Sequence, residues 1–138
     1  MDEEYQRIYE GTLELLKTVV QRAGTFLPET IAQEGEQLDE RLRGLREYLH
    51  RQGEKYKYAK RRCMNVQDIL RVEYWSDISK KGGWEVILKG LEELCEPEKI
   101  TRDSNSLFLT SVLDRGLTFL SVTRRAEKDI AEAKGKLG

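Results

Sequence analysis

The chain has 138 residues, the size of one ordinary domain. Charged residues make up 36% of it, against about 25% in typical proteins, and apolar residues make up 38% in patterned clusters that argue against disorder. The acidic N-terminus is unlike a secretory signal, and no long uncharged run predicts a membrane span. One histidine and two cysteines are too few for a Cys/His metal site. We therefore expect an intracellular, cytoplasmic protein without a metal or cofactor.

The charges are divided unevenly along the chain. Residues 1–40 carry ten acidic and three basic side chains, a net charge of −7, whereas residues 41–62 carry nine basic and two acidic ones, a net charge of +7. Residues 63–138 are nearly balanced. Such a split indicates a charged partner, unless the two blocks neutralise each other within the fold.

Apolar residues of 3–22 recur every three or four positions, the spacing of one helix face. They are Tyr5, Ile8, Tyr9, Leu13, Leu16 and Val20. Gly24 suits the end of this helix, and Pro28 suits the first turn of the next. The two helices predict a long N-terminal helical hairpin over 1–50.

Four leucines of the second helix form a seam with a 4-3-4 spacing, which is typical of a helix that packs on another helix. We call Leu38, Leu42, Leu45 and Leu49 the leucine seam. Charged residues fill most of the positions between them. The seam therefore needs a partner, either inside this chain or on another protein.

Compact helices are predicted over 54–95, because the seam spacing resumes at Tyr56 and a second apolar pattern follows Trp84. The predicted elements are helices over 54–64 and 66–75, separate or continuous, a break from Ser76, a loop over 80–83 and a helix over 84–95. The stretch from Ser76 has the outline of a helix-turn-helix. The simpler interpretation is a helix–loop–helix core with Trp84 as its anchor.

Residues 107–123 fit two structures. An apolar helix is one, and a β-hairpin that turns at Gly116 is the other, slightly favoured by the β-branched and aromatic residues. A hairpin there would be the wing of a winged-helix-like domain. A polar tail helix is predicted over 124–137, so the last part of the chain, 104–137, is a hairpin or a helix followed by this tail. The whole prediction is a single, mainly α-helical domain over 1–138.

The strongest functional candidate is the basic stretch after the second helix, where cations alternate with tyrosines. Cations neutralise phosphates and release counterions, and a tyrosine can stack on a base. The predicted nucleic-acid-binding residues are Arg51, Lys55, Lys57, Tyr58, Lys60, Arg61 and Arg62. The competing interpretation is that this face meets the acidic first helix.

Signals for enzyme chemistry are weak. His50 follows Arg46 by four positions, a spacing that a helical ribonuclease site would allow, but an exposed or capping histidine near a helix end is the favoured interpretation. Cys63 lies on the apolar seam, so we expect a buried core residue instead of a reactive thiol. We therefore predict no catalytic residues.

The sequence predicts a non-enzymatic nucleic-acid-associated accessory or regulatory protein, such as a subunit of a nucleoprotein assembly, that contacts the phosphate backbone of DNA or RNA. The alternative is a helical protein–protein adaptor that binds a partner helix through the leucine seam, or through complementary acidic and basic faces. Head-to-tail assembly into a homo-oligomer would follow from the second of these.

Overall fold

The computed structural model describes residues 2–22, 25, 28–117, 128 and 131, and these contain helices and turns but no strand. The α-helices are α1 (Glu3–Gln21), α2 (Pro28–Arg51), α3 (Lys57–Ile69), α4 (Trp75–Lys80), α5 (Trp84–Glu92) and α6 (Arg102–Asp114). Short 3-10 turns lie at Glu54–Tyr56, Val72–Tyr74, Glu93–Cys95 and Pro97–Lys99. The prediction of a mainly helical protein is confirmed.

Helices α1 and α2 pack together in antiparallel orientation. Asp2 caps α1 by accepting a hydrogen bond from the Tyr5 amide at 2.9 Å, and its other carboxylate oxygen accepts one from the Tyr48 hydroxyl near the end of α2. At the opposite end, Arg22 pairs with Glu34. The first two predicted helices are therefore present, with their ends tied together by polar contacts.

Helix α2 lies between α1 and α3, and α5 contacts α1, α3 and α6. The hydroxyl of Tyr5 donates to the Leu94 carbonyl, and that of Tyr9 donates to the Glu92 carbonyl at 3.0 Å. These carbonyls lie at and just beyond the end of α5, where helical partners run out. Two buried tyrosines of α1 therefore satisfy the end of α5.

The break after α3 comes earlier than predicted. Helix α3 ends at Ile69, and the indole N–H of Trp75 donates to the Leu70 carbonyl at 2.8 Å. Ser76 and Asp77, the predicted start of the break, lie inside α4 instead. The contact of the buried Trp75 with Leu70 sets this boundary. The spacing of apolar residues in the sequence does not indicate this contact.

The predicted β-hairpin over 107–123 is wrong where the structure describes it, because residues 107–114 belong to α6. A capping box starts this helix: the Ser104 amide donates to the Thr101 hydroxyl, and the Thr101 amide donates to the Ser104 hydroxyl. Gly116 has a φ of +78°, and its amide donates to the Leu113 carbonyl at 2.8 Å. The same positive-φ glycine that suits a hairpin turn here ends a helix.

The helix-turn-helix outline has no wing among the described residues, and its second helix is part of the core. Helix α5 buries Trp84, whose ring meets that of Trp75 edge-on at 5.6 Å between centroids. Its exposed positions are Glu85, Lys89 and Glu92, a net negative set that does not suit a phosphate backbone. The simpler interpretation of Trp84 as a core anchor agrees with the structure.

The predicted tail helix over 124–137 and residues 118–123 of the hairpin fall almost entirely outside the described residues. Among the helices that the structure describes, none is both long and apolar enough to cross a bilayer.

Candidate nucleic-acid interface

The basic block folds into three consecutive pieces, namely the end of α2, the turn Glu54–Tyr56 and the first half of α3. Arg51, Lys55 and Lys57 are exposed, and Lys60 and Arg61 are half-buried. Within the described residues, neither Lys55 nor Lys57 has a carboxylate partner. These lysines therefore keep charge that the fold does not neutralise.

Tyrosine rings lie beside these cations. The guanidinium of Arg51 is 5.8 Å from the Tyr48 ring centroid, and the ammonium of Lys55 is 5.4 Å from that of Tyr56. Such contacts hold a cation in place by its attraction to the ring while leaving its charge available to an anion. The alternation of cations and tyrosines in the sequence therefore positions the cations.

Tyr58 gathers three cations from two helices. The Lys57 ammonium is 5.1 Å and the Arg61 guanidinium carbon is 5.5 Å from its ring centroid. The Arg102 Nε–H, at the start of α6, donates to the Tyr58 hydroxyl at 3.4 Å. Because cations lie over the ring where a base would stack, this geometry favours phosphate binding over base stacking at Tyr58.

The electrostatics of the Tyr58 hydroxyl reflect its neighbours. The hydrogen bond from Arg102 lowers the pKa of Tyr58, burial opposes this, and the charges of Arg102, Lys57 and Arg61 lower it further. Among the described residues, the hydroxyl proton has no acceptor. The hydroxyl can therefore accept from Arg102 and still donate to an anion.

Arg62 needs correction as a predicted phosphate-binding residue, because its side chain is completely buried. Its guanidinium lies 4.5 Å from the Phe108 ring centroid, and it donates to the Asn105 side-chain oxygen, the Gly90 carbonyl, the Ser104 carbonyl and the Glu93 carboxylate. Burial lowers the pKa of Arg62, and Glu93 opposes that shift. Arg62 therefore joins α3, α5 and α6 and is not available to a ligand.

The leucine seam also needs correction as a protein interface. At most 1% of any of its side chains is exposed, and the seam lies in one cluster with Cys63 and Val66 of α3. The partner that the 4-3-4 spacing requires is thus inside the chain. These leucines are therefore not accessible to a partner protein, and they do not support an adaptor function.

The two residues of the weak ribonuclease hypothesis turn to different partners. Arg46 donates to the Gln67 side chain at 3.0 Å, and Gln67 in turn donates to Asp39 at 2.7 Å. His50 has its Nδ1 2.8 Å from the Lys60 ammonium. Arg46 and His50 are therefore not assembled around a common point in this structure.

The cysteines and the potential metal ligands among the described residues form no further site. Cys63 is buried as predicted, and burial raises the pKa of its thiol to about 12. No cluster of three or more His, Cys, Asp or Glu side chains within the described residues is arranged to hold a metal ion.

Arg102 is the functional candidate that the sequence did not reveal. It is 44 positions from Tyr58, and only the return of α6 onto α3 brings the two together. The Thr101–Ser104 capping pair marks a helix start in the sequence, but it does not indicate where that start lies in space. We call Arg51, Lys55, Lys57, Lys60, Arg61 and Arg102 the basic surface.

Comparison with known protein families, with curated proteins and with solved structures finds no match to this chain. The functional interpretation therefore depends on the geometry alone.

Proposed function

We propose that this protein is a non-enzymatic accessory protein that binds the phosphates of nucleic acid through the basic surface. The observation that supports it best is the cluster around Tyr58, where Lys57, Arg61 and Arg102 surround one side chain. Arginine suits phosphate because its planar fork can donate two parallel hydrogen bonds. Lysine adds charge and releases condensed counterions.

Three lysines of the basic surface have no carboxylate partner among the described residues. Lys55 and Lys57 are exposed and have no carboxylate partner among the described residues. The Lys60 ammonium is directed to a histidine nitrogen, not to a carboxylate. A polyanion would supply negative charge to these lysines.

The test compares two triple variants that remove the same number of positive charges. Lys55→Gln, Lys57→Gln and Arg61→Gln remove charge from the basic surface, whereas Arg7→Gln, Lys80→Gln and Lys89→Gln remove it from exposed positions elsewhere. Fluorescence anisotropy with single-stranded and duplex probes, from about 50 to about 200 mM salt, measures the affinity and its salt dependence.

We expect the basic-surface variant to bind more than tenfold more weakly at moderate salt and its log–log salt slope to fall by roughly 0.7–0.9 for each phosphate that the variant no longer neutralises. The control variant has the same net charge as the basic-surface variant, and its affinity should stay close to that of the parent. Equally weakened binding by both variants would show that only net charge matters, and binding as tight as the parent's by the basic-surface variant would refute the proposed site.

The second candidate is head-to-tail association between copies, favoured by the exposed carboxylates Glu3, Glu10 and Glu14 on one face of α1. In that case the basic surface of one copy would meet the acidic face of another. Sedimentation of the parent at low salt would then show oligomers that the basic-surface variant does not form.

A further inference from the structure

The tyrosine rings beside the basic surface are occupied on both counts, by the core and by cations. Tyr56 and Tyr58 are half-buried and pack against the hydrophobic core. The ammonium groups of the exposed residues Lys55 and Lys57 lie over these two rings, at 5.4 and 5.1 Å from the centroids. A base that stacked on either ring would have to displace a cation from it.

The other aromatic side chains that the structure describes offer no open ring either. Tyr74 is half-buried, and the Arg71 guanidinium lies over its ring at 5.9 Å. The remaining ones are buried, namely Tyr5, Tyr9, Tyr48, Trp75, Trp84 and Phe108. Proteins that bind single strands without sequence preference stack successive bases on exposed aromatic rings. The described part of this chain lacks such rings.

What the basic surface offers instead is lysine charge. Lys55, Lys57 and Lys60 have no carboxylate partner in the part of the chain that the structure describes. Duplex DNA carries one negative charge per about 1.7 Å of its axis, twice the density of either strand alone, and each neutralised phosphate contributes about 0.9 to the salt slope in a duplex and about 0.7 in a single strand. Charge without stacking therefore gains more from a double helix.

We infer that the basic surface binds the backbone of double-helical nucleic acid in preference to single strands. This inference depends on the proposed function, because it concerns the same surface. The difference of about 0.2 in salt slope for each phosphate amounts to roughly fourfold in affinity for three contacts at about 0.1 M salt. A single strand could offset this difference only by stacking its bases.

The arrangement of the surface also suits a stiff partner. The rings of Tyr56 and Tyr58 hold the lysine ammonium groups by their attraction to a cation. The Asn105 side chain donates to the Tyr58 carbonyl at 2.9 Å, which ties the start of α3 to α6. A surface and a duplex that are both ordered before they meet lose less affinity to ordering on binding.

The experiment compares three probes with nearly equal numbers of phosphates, so that differences in affinity do not arise from the number of binding positions. They are a GC-rich duplex of about 12 base pairs, an oligothymidine of about 24 nucleotides and an abasic strand of the same length as the oligothymidine. Fluorescence anisotropy at about 0.1 M salt measures their affinities for the full chain and for Tyr58→Leu. Circular dichroism verifies that the variant is folded, and the abasic strand tests stacking in the parent itself.

We expect the parent to bind the duplex at least about threefold more tightly than the oligothymidine. The abasic strand should bind as tightly as the oligothymidine, whereas a stacked base would contribute roughly fivefold or more. Tyr58→Leu should change the affinities for the duplex and for the oligothymidine by the same factor.

An oligothymidine that binds as tightly as the duplex would overturn this inference and leave the proposed function intact. A fivefold weaker abasic strand, or a loss confined to the oligothymidine in Tyr58→Leu, would reveal stacking and overturn it in the same way. Absence of binding to every probe would overturn the inference and the proposed function together.

Discussion

Arg62 and Asn105 show how polar side chains can be accommodated in a small helical core. Taking a guanidinium out of water costs several kcal/mol unless its donors are satisfied. This cost is about half the free energy of unfolding of an ordinary domain. Here Arg62 donates to four acceptors. The side-chain amide of Asn105 accepts from Arg62 through its oxygen and donates to the Tyr58 carbonyl through its nitrogen. This buried network connects the core to the proposed ligand site.

Asn65 is the opposite case at the same scale. It is 1% exposed, yet neither its amide oxygen nor its amide nitrogen has a partner among the described residues. Leucine has the same branching at Cγ and no polar atoms, so Asn65→Leu should raise the free energy of unfolding by about 1–2 kcal/mol. Asn105→Leu should lower it by about 1–3 kcal/mol, because it leaves Arg62 and the Tyr58 carbonyl without their partner.

Urea denaturation followed by circular dichroism measures both changes, provided that the slope with denaturant is unchanged. The paired substitutions remove the same amide from equally buried positions, so only the hydrogen bonds differ. A decrease in stability of the same size in both variants would contradict the distinction between the two asparagines.

At the scale of elements, the close contact of α5 with α6 depends on Gly90. A Cβ built at Gly90 would lie 2.2 Å from the Phe108 ring, whereas one built at Gly44 of α2 would meet nothing within 4 Å. The ring of Phe108 also lies against Arg62, which limits its freedom to move away. The two glycines therefore occupy helices for different reasons.

We expect Gly90→Ala to lower the free energy of unfolding by about 1–3 kcal/mol through overpacking. Gly44→Ala should raise it by up to about 1 kcal/mol, because alanine is the better helix former and space is available. Thermal unfolding should shift in opposite directions for the two variants. Shifts in the same direction would mean that α5 and α6 do not approach as closely as described.

At the scale of the whole molecule, buried tyrosines make the fold sensitive to alkali. Burial raises the pKa of Tyr9 to about 12, the hydrogen bond to Asp2 raises that of Tyr48 to about 12, and burial raises that of Tyr5 as well. The fold therefore favours the neutral phenols. Their contribution to stability is complete below the unfolded pKa of about 10 and is lost as the pH rises toward 12.

We expect cooperative unfolding between pH 10 and pH 12, with tyrosinate absorbance rising as helical circular dichroism falls. Tyr58 is the internal control, because its lowered pKa lets it ionise before that transition. A full tyrosinate signal in a chain that keeps its helical spectrum would contradict the linkage between these hydroxyls and the fold.

Local patterns in the sequence were enough to predict several elements. The three- and four-residue spacing from Tyr5 to Val20 predicted α1, and the leucine seam predicted α2 as a helix that packs on another. Trp84 was predicted as an anchor and is buried. These predictions hold because helix periodicity depends on neighbours within a few positions.

Gly116 and Arg62 mark where local patterns failed. A glycine with positive φ ends a helix as readily as it turns a hairpin, so the residue types around Gly116 did not distinguish α6 from a β-hairpin. Arg62 belongs to a run of cations in the sequence, but its position on α3 turns it toward α5 and α6, away from its neighbour Arg61.

Composition and periodicity are local properties, so they sufficed to establish that this chain is mainly helical, where α1 and α2 lie and which stretch carries the excess of positive charge. Which of those cations face a ligand depends instead on how the helices pack. The packing of α6 against α3 buried Arg62 and brought Arg102 to Tyr58, and the packing of α2 against α3 covered the leucine seam. Contacts between residues far apart in the chain follow from how whole helix faces meet, and no short pattern encodes them.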